Sequence, residues 1–282
     1  MFKIITDTLA CLPSEITEKY NISIIPQIIN FGTQSYREGI DLDHKSFLEK
    51  LKLSKELPKT AAPPPEWFKE EFDKLIPLGE TILCIHPSAE LSGTVRSAKI
   101  AAQDYPKADI RVIDTRLIAS PLGVIVKLAA EWAEAGVDAD TITNRCEKIH
   151  ERCQLYFLVD TLEYLMRGGR IGKASGLVGS LLQIKPILTL RDGFTDLYQR
   201  ERTHKRALEH IKQKVRDAFP GQGKDYGFLQ VLHAGIIDNA QKLANELMDE
   251  FGLENVPVVD MPPAIITHGG PGILGVAFFK KE

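Results

Sequence analysis

Residues Ile82–Thr94 read I-L-C-I-H-P-S-A-E-L-S-G-T and indicate a strand, a loop and the start of a helix in close succession. The apolar run at Ile82–Ile85 is typical of a buried strand, which Pro87 cannot continue. A helical pattern follows, and we predict that Ser92 is the N-cap of that helix. The first amides of a helix lack partners within the helix, and Gly93 would let a ligand approach them closely. This unit therefore suits an anion, although an ordinary capped helix has the same pattern.

The composition is that of a globular protein with one large or two medium domains. The chain has 282 residues, of which 44% are hydrophobic and 26% are charged. A net charge of −3 gives no electrostatic case for a nucleic-acid partner. We find no signal sequence and no run of about 18 apolar residues. We therefore expect a cytoplasmic protein without a transmembrane segment, for which a transient membrane contact stays open.

Four cysteines bear on redox state and metal binding. None of them forms a C-x-x-C pair, and none has a His or Cys beside it at metal-ligand spacing. We expect reduced, mostly buried thiols and no metal site. The four residues are Cys11, Cys84, Cys146 and Cys153.

The order of strand and helix patterns predicts an α/β protein of two domains. Strands and helices alternate through residues 1–153, which predicts an N-terminal α/β domain with a mostly parallel sheet. One of these strands spans Ile22–Phe31, where Pro26 should create an edge or a bulge. Residues 154–282 contain a hairpin signal at Asp192-Gly193 and mix hairpins with helices. They predict an α+β domain with a mixed or antiparallel sheet.

A proline-rich stretch singles out Thr60. Residues Leu57–Pro65 end in three consecutive prolines, which force extended backbone and set up the first turn of a helix. We expect Thr60 to lie in a stiff, extended loop that would hold its hydroxyl in place. A rigid connector with an exposed threonine fits the same residues.

Three short motifs resemble nucleotide or hydrolase sites but fail on their context. Gly270–Gly275 matches G-x-G-x-x-G, yet only seven residues follow, too few for a helix and a returning strand. Gly172-Lys173-Ala174 lacks the first glycine and the Ser/Thr of a phosphate loop. His268-Gly269-Gly270 resembles the oxyanion loop of lipases, but the chain has no G-x-S-x-G elbow. We therefore predict neither catalytic residues nor a cofactor.

Taken together, the motifs resemble those of the DegV family, the fatty-acid-binding proteins that include the binding subunit of bacterial fatty acid kinase. The resemblance covers essentially the whole chain, and several motifs occur in the expected order. The strongest is Thr161–Lys173, T-L-E-Y-L-M-R-G-G-R-I-G-K, which continues in Gly179–Leu188. The others are Ile5-Thr6-Asp7, Lys59-Thr60, Leu91-Ser92-Gly93-Thr94, and His268 with Gly270–Val276.

The resemblance implies one long-chain fatty acid buried between two domains. The carboxylate-binding residues of the family carry over onto Thr60, Ser92, the Gly93 backbone and His268. Family members usually have Asp-Ser-Thr-Ala-Asp near the start and Thr-Ser-Gln-Pro in the threonine loop. This chain has Asp-Thr-Leu-Ala-Cys and Thr-Ala-Ala-Pro there, which changes the polar lining of the site.

The resemblance also implies that a separate kinase phosphorylates the carboxylate while the lipid stays bound. A basic surface could bind that kinase, or could simply be a solvated face. An apolar helical stripe in Lys173–Leu182 could line part of the acyl tunnel, or could be ordinary core. The basic surface comprises Arg170, Arg202 and His204, with Arg167, Arg200, Lys205 and Arg206 nearby. The tunnel candidates are Ala174, Leu177, Val178 and Leu181.

Two alternatives remain open from the residues themselves. The first is an acyl hydrolase or acyltransferase that uses Ser92 and His268 with an acid such as Asp7. The second is a binding protein for a different small carboxylic acid or for phosphate.

Overall fold

The computed structural model describes residues 2–177, 184–219 and 226–280. The chain divides into two compact units, Met1–Glu151 and Arg152–Glu282. The first unit is α/β with a parallel sheet and the second contains a mixed sheet, so the predicted fold class is confirmed.

The first unit combines a parallel sheet with a smaller antiparallel sheet. Its strands are β1 (Phe2–Asp7), β2 (Ser23–Ile25), β3 (Ile28–Phe31), β4 (Gln34–Arg37), β5 (Lys59–Ala61), β6 (Thr81–His86) and β7 (Ile110–Asp114). Its helices are α1 (Ser14–Lys19), α2 (His44–Leu53), α3 (Pro65–Leu75), α4 (Thr94–Ala102), α5 (Ser120–Glu134) and α6 (Ala139–Lys148). The parallel sheet has the order β2-β1-β6-β7, and the antiparallel sheet has the order β4-β3-β5.

Pro26 changes the predicted strand over Ile22–Phe31 more than expected. Because proline cannot donate a ladder hydrogen bond, the stretch divides into β2 and β3. These two strands join different sheets. The antiparallel sheet that β3 forms with β4 and β5 is therefore absent from the sequence prediction.

The core of the first unit fixes which side chains reach the carboxyl ends of the strands. Alternate residues of β1 and β6, among them Ile5 and Cys84, pack beneath Phe68 of α3 and Ala98 of α4. Two residues further on, the same face presents polar side chains at the strand ends. The strands β1 and β6 are neighbours at the centre of the sheet. After β1 the chain continues to β2 on one side of this pair, and after β6 it continues to β7 on the other side. Ligands of open α/β sheets bind at such a switch point, outside the carboxyl ends of the strands.

The second unit is a six-stranded sheet with helices. Its strands are β8 (Gln154–Leu158), β9 (Lys185–Arg191), β10 (Phe194–Glu201), β11 (Tyr226–His233), β12 (Val258–Asp260) and β13 (Leu274–Lys280). Its helices are α7 (Glu163–Arg167), α8 (His204–Ala218), α9 (Ile237–Phe251) and α10 (Pro263–Gly269). The order is β10-β9-β8-β13-β11-β12, and β11 pairs with β12 in parallel while the other pairs are antiparallel.

The predicted hairpin in this unit is confirmed. Asp192 and Gly193 connect β9 to β10 and have φ values of +54° and +83°. A two-residue hairpin turn with positive φ at both positions matches the twist of the flanking strands. The helices α8 and α9 contribute apolar residues such as Ile211 and Leu247 to a core that includes Val231 and Phe278.

Candidate functional site

The loop between β6 and α4 carries Ser92 and Gly93. The helix begins at Thr94 and its N-cap is Gly93, so the prediction of Ser92 as the N-cap is wrong by one residue. Ser92 still belongs to the preceding turn, in which its amide donates to the Ser88 carbonyl at 3.0 Å. Ser92 is half-buried and Gly93 is exposed, so both can meet a ligand.

Thr60 lies in an edge strand, whereas the sequence predicted a loop. The extended backbone is as expected, but Thr60 belongs to β5 and is paired with Ile29 in the antiparallel sheet. The strand runs directly towards the Gly93 loop. A Cβ placed on Gly93 would lie 3.3 Å from the Cβ of Ala62. The chain just after β5, two residues beyond Thr60, therefore lies beside Gly93 and the loop that carries Ser92.

Behind Ser92 lies a buried polar network that sequence analysis missed. The Ser92 hydroxyl lies 2.8 Å from the Thr94 hydroxyl, and the Thr94 amide donates to it at 3.4 Å. The Gln27 side-chain amide donates to the Thr94 hydroxyl at 2.9 Å. Gln27 is 2% exposed and Thr94 is fully buried, so the part of this network behind Ser92 is sealed from water. Gln27 and Thr94 are 67 residues apart, and no local sequence pattern predicts such a contact.

A buried Asp–His pair at the switch point is a second feature that sequence analysis missed. His86 Nδ1 lies 2.8 Å from Asp7 Oδ2, and both side chains are fully buried. The other Asp7 oxygen accepts from the Leu9 amide at 3.0 Å. His86 Nε2 is buried and has no hydrogen-bond partner among the described residues. The pair resembles the orienting half of a catalytic triad, but the described residues supply no nucleophile to Nε2.

In the second unit, His268 lies in α10, a helix that the sequence did not predict. Its ring packs directly on the chain at Gly168, where a Cβ would lie only 2.2 Å from His268 Nδ1. The carbonyl of the same Gly168 accepts a 2.7 Å hydrogen bond from Arg170 Nη1. Gly168, Arg170 and His268 thus form one cluster, in which the glycine makes room for the imidazole.

The surroundings keep His268 neutral at neutral pH. Burial, with a smaller contribution from the positive charge of Arg170, lowers the pKa of His268 to about 4. Burial also lowers the pKa of Arg170, which nevertheless stays charged. A carboxylate placed beside this cluster would favour the protonated imidazole and would raise the pKa of His268.

The glycines that follow His268 hold the end of α10 against α7. Gly270 has φ +81°, and a Cβ on it would lie 2.6 Å from the Tyr164 ring. Gly272 has φ +83°, and a Cβ on it would lie 2.2 Å from the Asp160 carboxylate. Gly168, Gly270 and Gly272 therefore allow the chain segments around α7 and α10 to pack closely together.

The predicted tunnel residues are only partly described. Residues Gly172–Leu177 form a 3-10 helix, so the predicted α-helical stripe is wrong in this stretch. Gly172 has φ +53° and Gly176 has no side chain to pack, and both disfavour an α-helix. Ala174 is buried. Val178 and Leu181 lie outside the described residues, as does the side chain of Leu177.

The predicted docking residues cluster at the start of α8. Arg202 and His204 are exposed, as are Lys205 and Arg206, and the first turn of the helix contains no acidic residue. Positive charges at the positive end of a helix cost about 0.3–1 kcal/mol each, so local stability does not explain them. A groove of about 560 Å³ between α8 and α9 begins at His204 and Lys205. Arg170 is half-buried and contributes little to this surface.

Metal and membrane features are absent from the described residues. No group of His, Cys, Asp and Glu side chains there could hold a metal ion. None of the described helices is both long enough and apolar enough to cross a bilayer. The four cysteines are free thiols; Cys84 and Cys146 are buried, whereas Cys11 and Cys153 are partly exposed.

Comparison with known proteins identifies close relatives along the whole chain. The family model for uncharacterised proteins of the DegV family matches residues 1–281. A DegV domain-containing protein of Streptomyces coelicolor is 37% identical over 280 residues, which are 99% of this chain and 98% of that protein.

Solved structures are similar in fold over the same length. DegV of Bacillus subtilis, described as a fatty acid binding protein, has a TM-score of 0.90 and 31% identity, and the match covers 99% of each chain. A DegV family protein of Thermus thermophilus, described by its fatty acid binding, has a TM-score of 0.91 and 29% identity, again over 99% of each chain.

Proposed function

The chain belongs to the DegV family, and on this premise we propose that it binds one long-chain fatty acid. One observation supports the proposal: Ala62, two residues beyond Thr60, is a neighbour of Gly93 in the loop that carries Ser92. This loop adjoins the carboxyl end of β6 and the start of α4, where an α/β sheet binds ligands. The similar proteins of B. subtilis and T. thermophilus are described as fatty acid binding, which supports the same ligand class.

The first unit offers donors that suit a carboxylate. The hydroxyls of Thr60 and Ser92 can donate, and so can the amide of Gly93 at the positive end of α4. Hydrogen bonds to a charged acceptor are about twice as strong as those between neutral groups. Such donors offset the cost of withdrawing the carboxylate from water, which is high when hydrogen bonds are missing.

His268 of the second unit completes the proposed set. A neutral imidazole can donate one hydrogen bond, and the pKa of about 4 keeps it neutral before the ligand arrives. Binding of the carboxylate should raise the pKa of His268 and strengthen this hydrogen bond. We propose that the fatty acid carboxylate contacts Thr60, Ser92, Gly93 and His268 together.

The acyl chain would supply most of the affinity. Each buried CH₂ contributes about 0.8 kcal/mol, so a long chain contributes several times more than the headgroup. We propose that Ala174, Leu177, Val178 and Leu181 line part of the acyl tunnel. Ala174 is buried, as such a role requires.

The role we propose is presentation of the bound lipid to a separate kinase, which forms the acyl phosphate. The protein itself would be a lipid-binding subunit, not an enzyme. The exposed basic residues at the start of α8 would bind an acidic surface of that kinase. Their position against the helix dipole supports this role, since a structural purpose would favour acidic residues there.

The headgroup proposal is tested by removing single hydroxyls. Thr60→Val and Ser92→Ala should each weaken binding of a long-chain fatty acid by about tenfold or more, the value of one hydrogen bond to a charged group. Displacement of a fluorescent fatty acid measures the dissociation constants. Ser35→Ala is the matched control, because Ser35 is exposed on β4 and its hydroxyl donates to the Asn30 side chain. Unchanged affinity in both variants would rule out this headgroup site.

The docking proposal is tested by Arg202→Glu in a reconstituted kinase assay. The variant should bind the fatty acid normally but support slower acyl phosphate formation. Lys107→Glu makes the same change in net charge at an exposed turn of the first unit and should behave as wild type. If Arg202→Glu and wild type support equal rates at limiting concentrations, this surface does not dock the kinase.

The hydrogen bonds of Asp7 argue against its role as the acid in the hydrolase alternative. Both carboxylate oxygens of Asp7 already accept hydrogen bonds within the first unit, from His86 and from the Leu9 amide. The hydrolase reading requires that the isolated protein turns over acyl esters and that Ser92→Ala abolishes the reaction. We expect no turnover.

A further inference from the structure

We propose that Gln27 sets the direction in which the Ser92 hydroxyl donates its hydrogen bond, and that it is a positioning residue for a carboxylate ligand. The inference rests on the proposed function, because it concerns the same headgroup site. Gln27 and Thr94 lie behind the site and would act on the ligand only through Ser92.

The geometry is a chain of three polar groups. Gln27 Nε2 donates to Thr94 Oγ1 at 2.9 Å, and Thr94 Oγ1 lies 2.8 Å from Ser92 Oγ. Gln27 is 2% exposed and Thr94 is fully buried, whereas Ser92 is half-buried. The chain thus starts in the interior and ends at a hydroxyl that a ligand can reach.

The number of protons fixes the direction of this chain. The Gln27 NH₂ group can only donate, so the Thr94 oxygen accepts from it. The Thr94 hydroxyl has one proton of its own, and among the described residues Ser92 Oγ is the acceptor within reach. A buried hydroxyl proton without an acceptor is costly, so Thr94 donates to Ser92. The Ser92 oxygen then accepts from the Thr94 hydroxyl and amide, and its own proton points outward.

The backbone around Gln27 holds the start of the chain in place. The backbone N–H of Gln27 donates to Thr8 Oγ1 at 3.1 Å, and the backbone N–H of Glu38 donates to the backbone carbonyl of Gln27 at 2.9 Å. The Thr8 hydroxyl in turn donates to the buried Glu38 carboxylate. Pro26, directly before Gln27, has a fixed φ, which stiffens the chain that leads into Gln27. The backbone of Gln27 is therefore held in place, and its side-chain amide can orient the Thr94 hydroxyl.

An outward donor favours an anion. A carboxylate only accepts hydrogen bonds, so a Ser92 proton already directed outward needs no reorientation when the ligand binds. A fatty alcohol gains less from the same proton, because its oxygen is uncharged. If the Ser92 proton is no longer held outward, binding of the acid should therefore weaken more than binding of the alcohol.

The test is a set of variants measured with a long-chain fatty acid and with the alcohol of the same length. Gln27→Met should weaken acid binding by about threefold to tenfold, as expected for a partial loss of one charge-assisted hydrogen bond, and should change alcohol binding less. The effect should vanish in the Ser92→Ala background, because Gln27 acts through Ser92. Thr94→Val should weaken acid binding similarly, and Thr94→Ser should recover most of that loss. Gln103→Met, at an exposed position after α4, is the matched control.

A second variant keeps the test decisive if Gln27→Met fails to fold. Gln27→Glu retains the shape of the side chain but offers Thr94 an acceptor, which reverses the chain and turns the Ser92 proton inward. It should weaken acid binding at least as much as Gln27→Met, again with less effect on the alcohol. Thermal melting monitors the fold of each variant.

The outcomes separate this inference from the proposed function. If Ser92→Ala weakens acid binding but Gln27→Met and Gln27→Glu do not, the positioning role is overturned and the headgroup site stands. Equal weakening of acid and alcohol, or the same weakening in the Ser92→Ala background, would also overturn it. If the wild-type protein binds no fatty acid, the proposed function fails and this inference fails with it.

Discussion

Substitution of Gly168 by alanine tests the position of His268 without touching its chemistry. A Cβ at residue 168 would lie 2.2 Å from His268 Nδ1 and 3.0 Å from the Tyr164 carbonyl oxygen. Real Cβ contacts essentially never fall below 3.0 Å. The backbone of α7 cannot relieve the conflict alone, because the new atom already meets Tyr164. The imidazole must therefore retreat by at least 0.8 Å, the difference between the two values.

This displacement sets the size of the expected effects. Overpacking of this kind costs about 1–3 kcal/mol of folding stability. A hydrogen bond to a charged group contributes about 1.5–3 kcal/mol, and an imidazole displaced by about an ångström loses much of it. We therefore expect Gly168→Ala to bind a long-chain fatty acid about 10- to 100-fold more weakly.

The assay compares dissociation constants and melting temperatures of five proteins: wild type, Gly168→Ala, a control variant, His268→Ala and the double variant. Gly79→Ala is the control, because residue 79 is exposed before the amino end of β6 and a Cβ there meets nothing within 4 Å; its φ of +70° affects stability only. It should bind as wild type. In the His268→Ala background, Gly168→Ala should add little, because the ring that it displaces is gone. Wild-type affinity in a folded Gly168→Ala variant would refute the assignment of His268 to the headgroup site. An undiminished effect in the His268→Ala background would refute it as well.

Two further predictions concern stability. The pKa of His268 is about 4 in the folded chain, below the value of 6.5 for a free histidine. Between these two pH values His268 is therefore protonated in the unfolded chain but not in the folded chain. Protonation of His268 should therefore cost the wild type at most about 3 kcal/mol of stability as the pH falls from about 6.5 to about 4, a contribution that His268→Asn lacks. Urea titrations across this range measure the difference, and identical pH dependence would contradict the reasoning. Gly123→Ala should cost about 3 kcal/mol, because its Cβ would lie 2.2 Å from the Ala10 carbonyl oxygen, a backbone atom. Thermal melting tests this, and an unchanged midpoint would show that α5 can move away.

Local patterns predicted the elements whose signals are contained within a few residues. The strand–loop–helix unit at Ile82–Thr94 is present because an apolar run, a proline and a small polar turn follow one another there. The β9–β10 hairpin is present because Asp192-Gly193 can adopt positive φ at both positions. The small antiparallel sheet escaped prediction because β3, β4 and β5 are each three or four residues long. A pattern of period two cannot be recognised over so few positions.

The supporting contacts of the candidate site could not be predicted from one sequence. Gln27 reaches Thr94 across 67 residues, and His86 reaches Asp7 across 79. Gly168 makes room for His268 from the opposite end of the second unit. Such contacts depend on how the sheets are assembled, and no spacing along the chain records them. The sequence indicated which residues carry donors, but not which residues orient them.

We propose above all that the protein holds one long-chain fatty acid by its carboxylate. The most direct test is mass spectrometry of the purified protein under native conditions, followed by solvent extraction and identification of the lipid. We predict one fatty acid per chain, and a lower occupancy in Thr60→Val and Ser92→Ala than in Ser35→Ala. Recovery of no fatty acid from the wild-type protein, together with no uptake when one is added, would contradict the account.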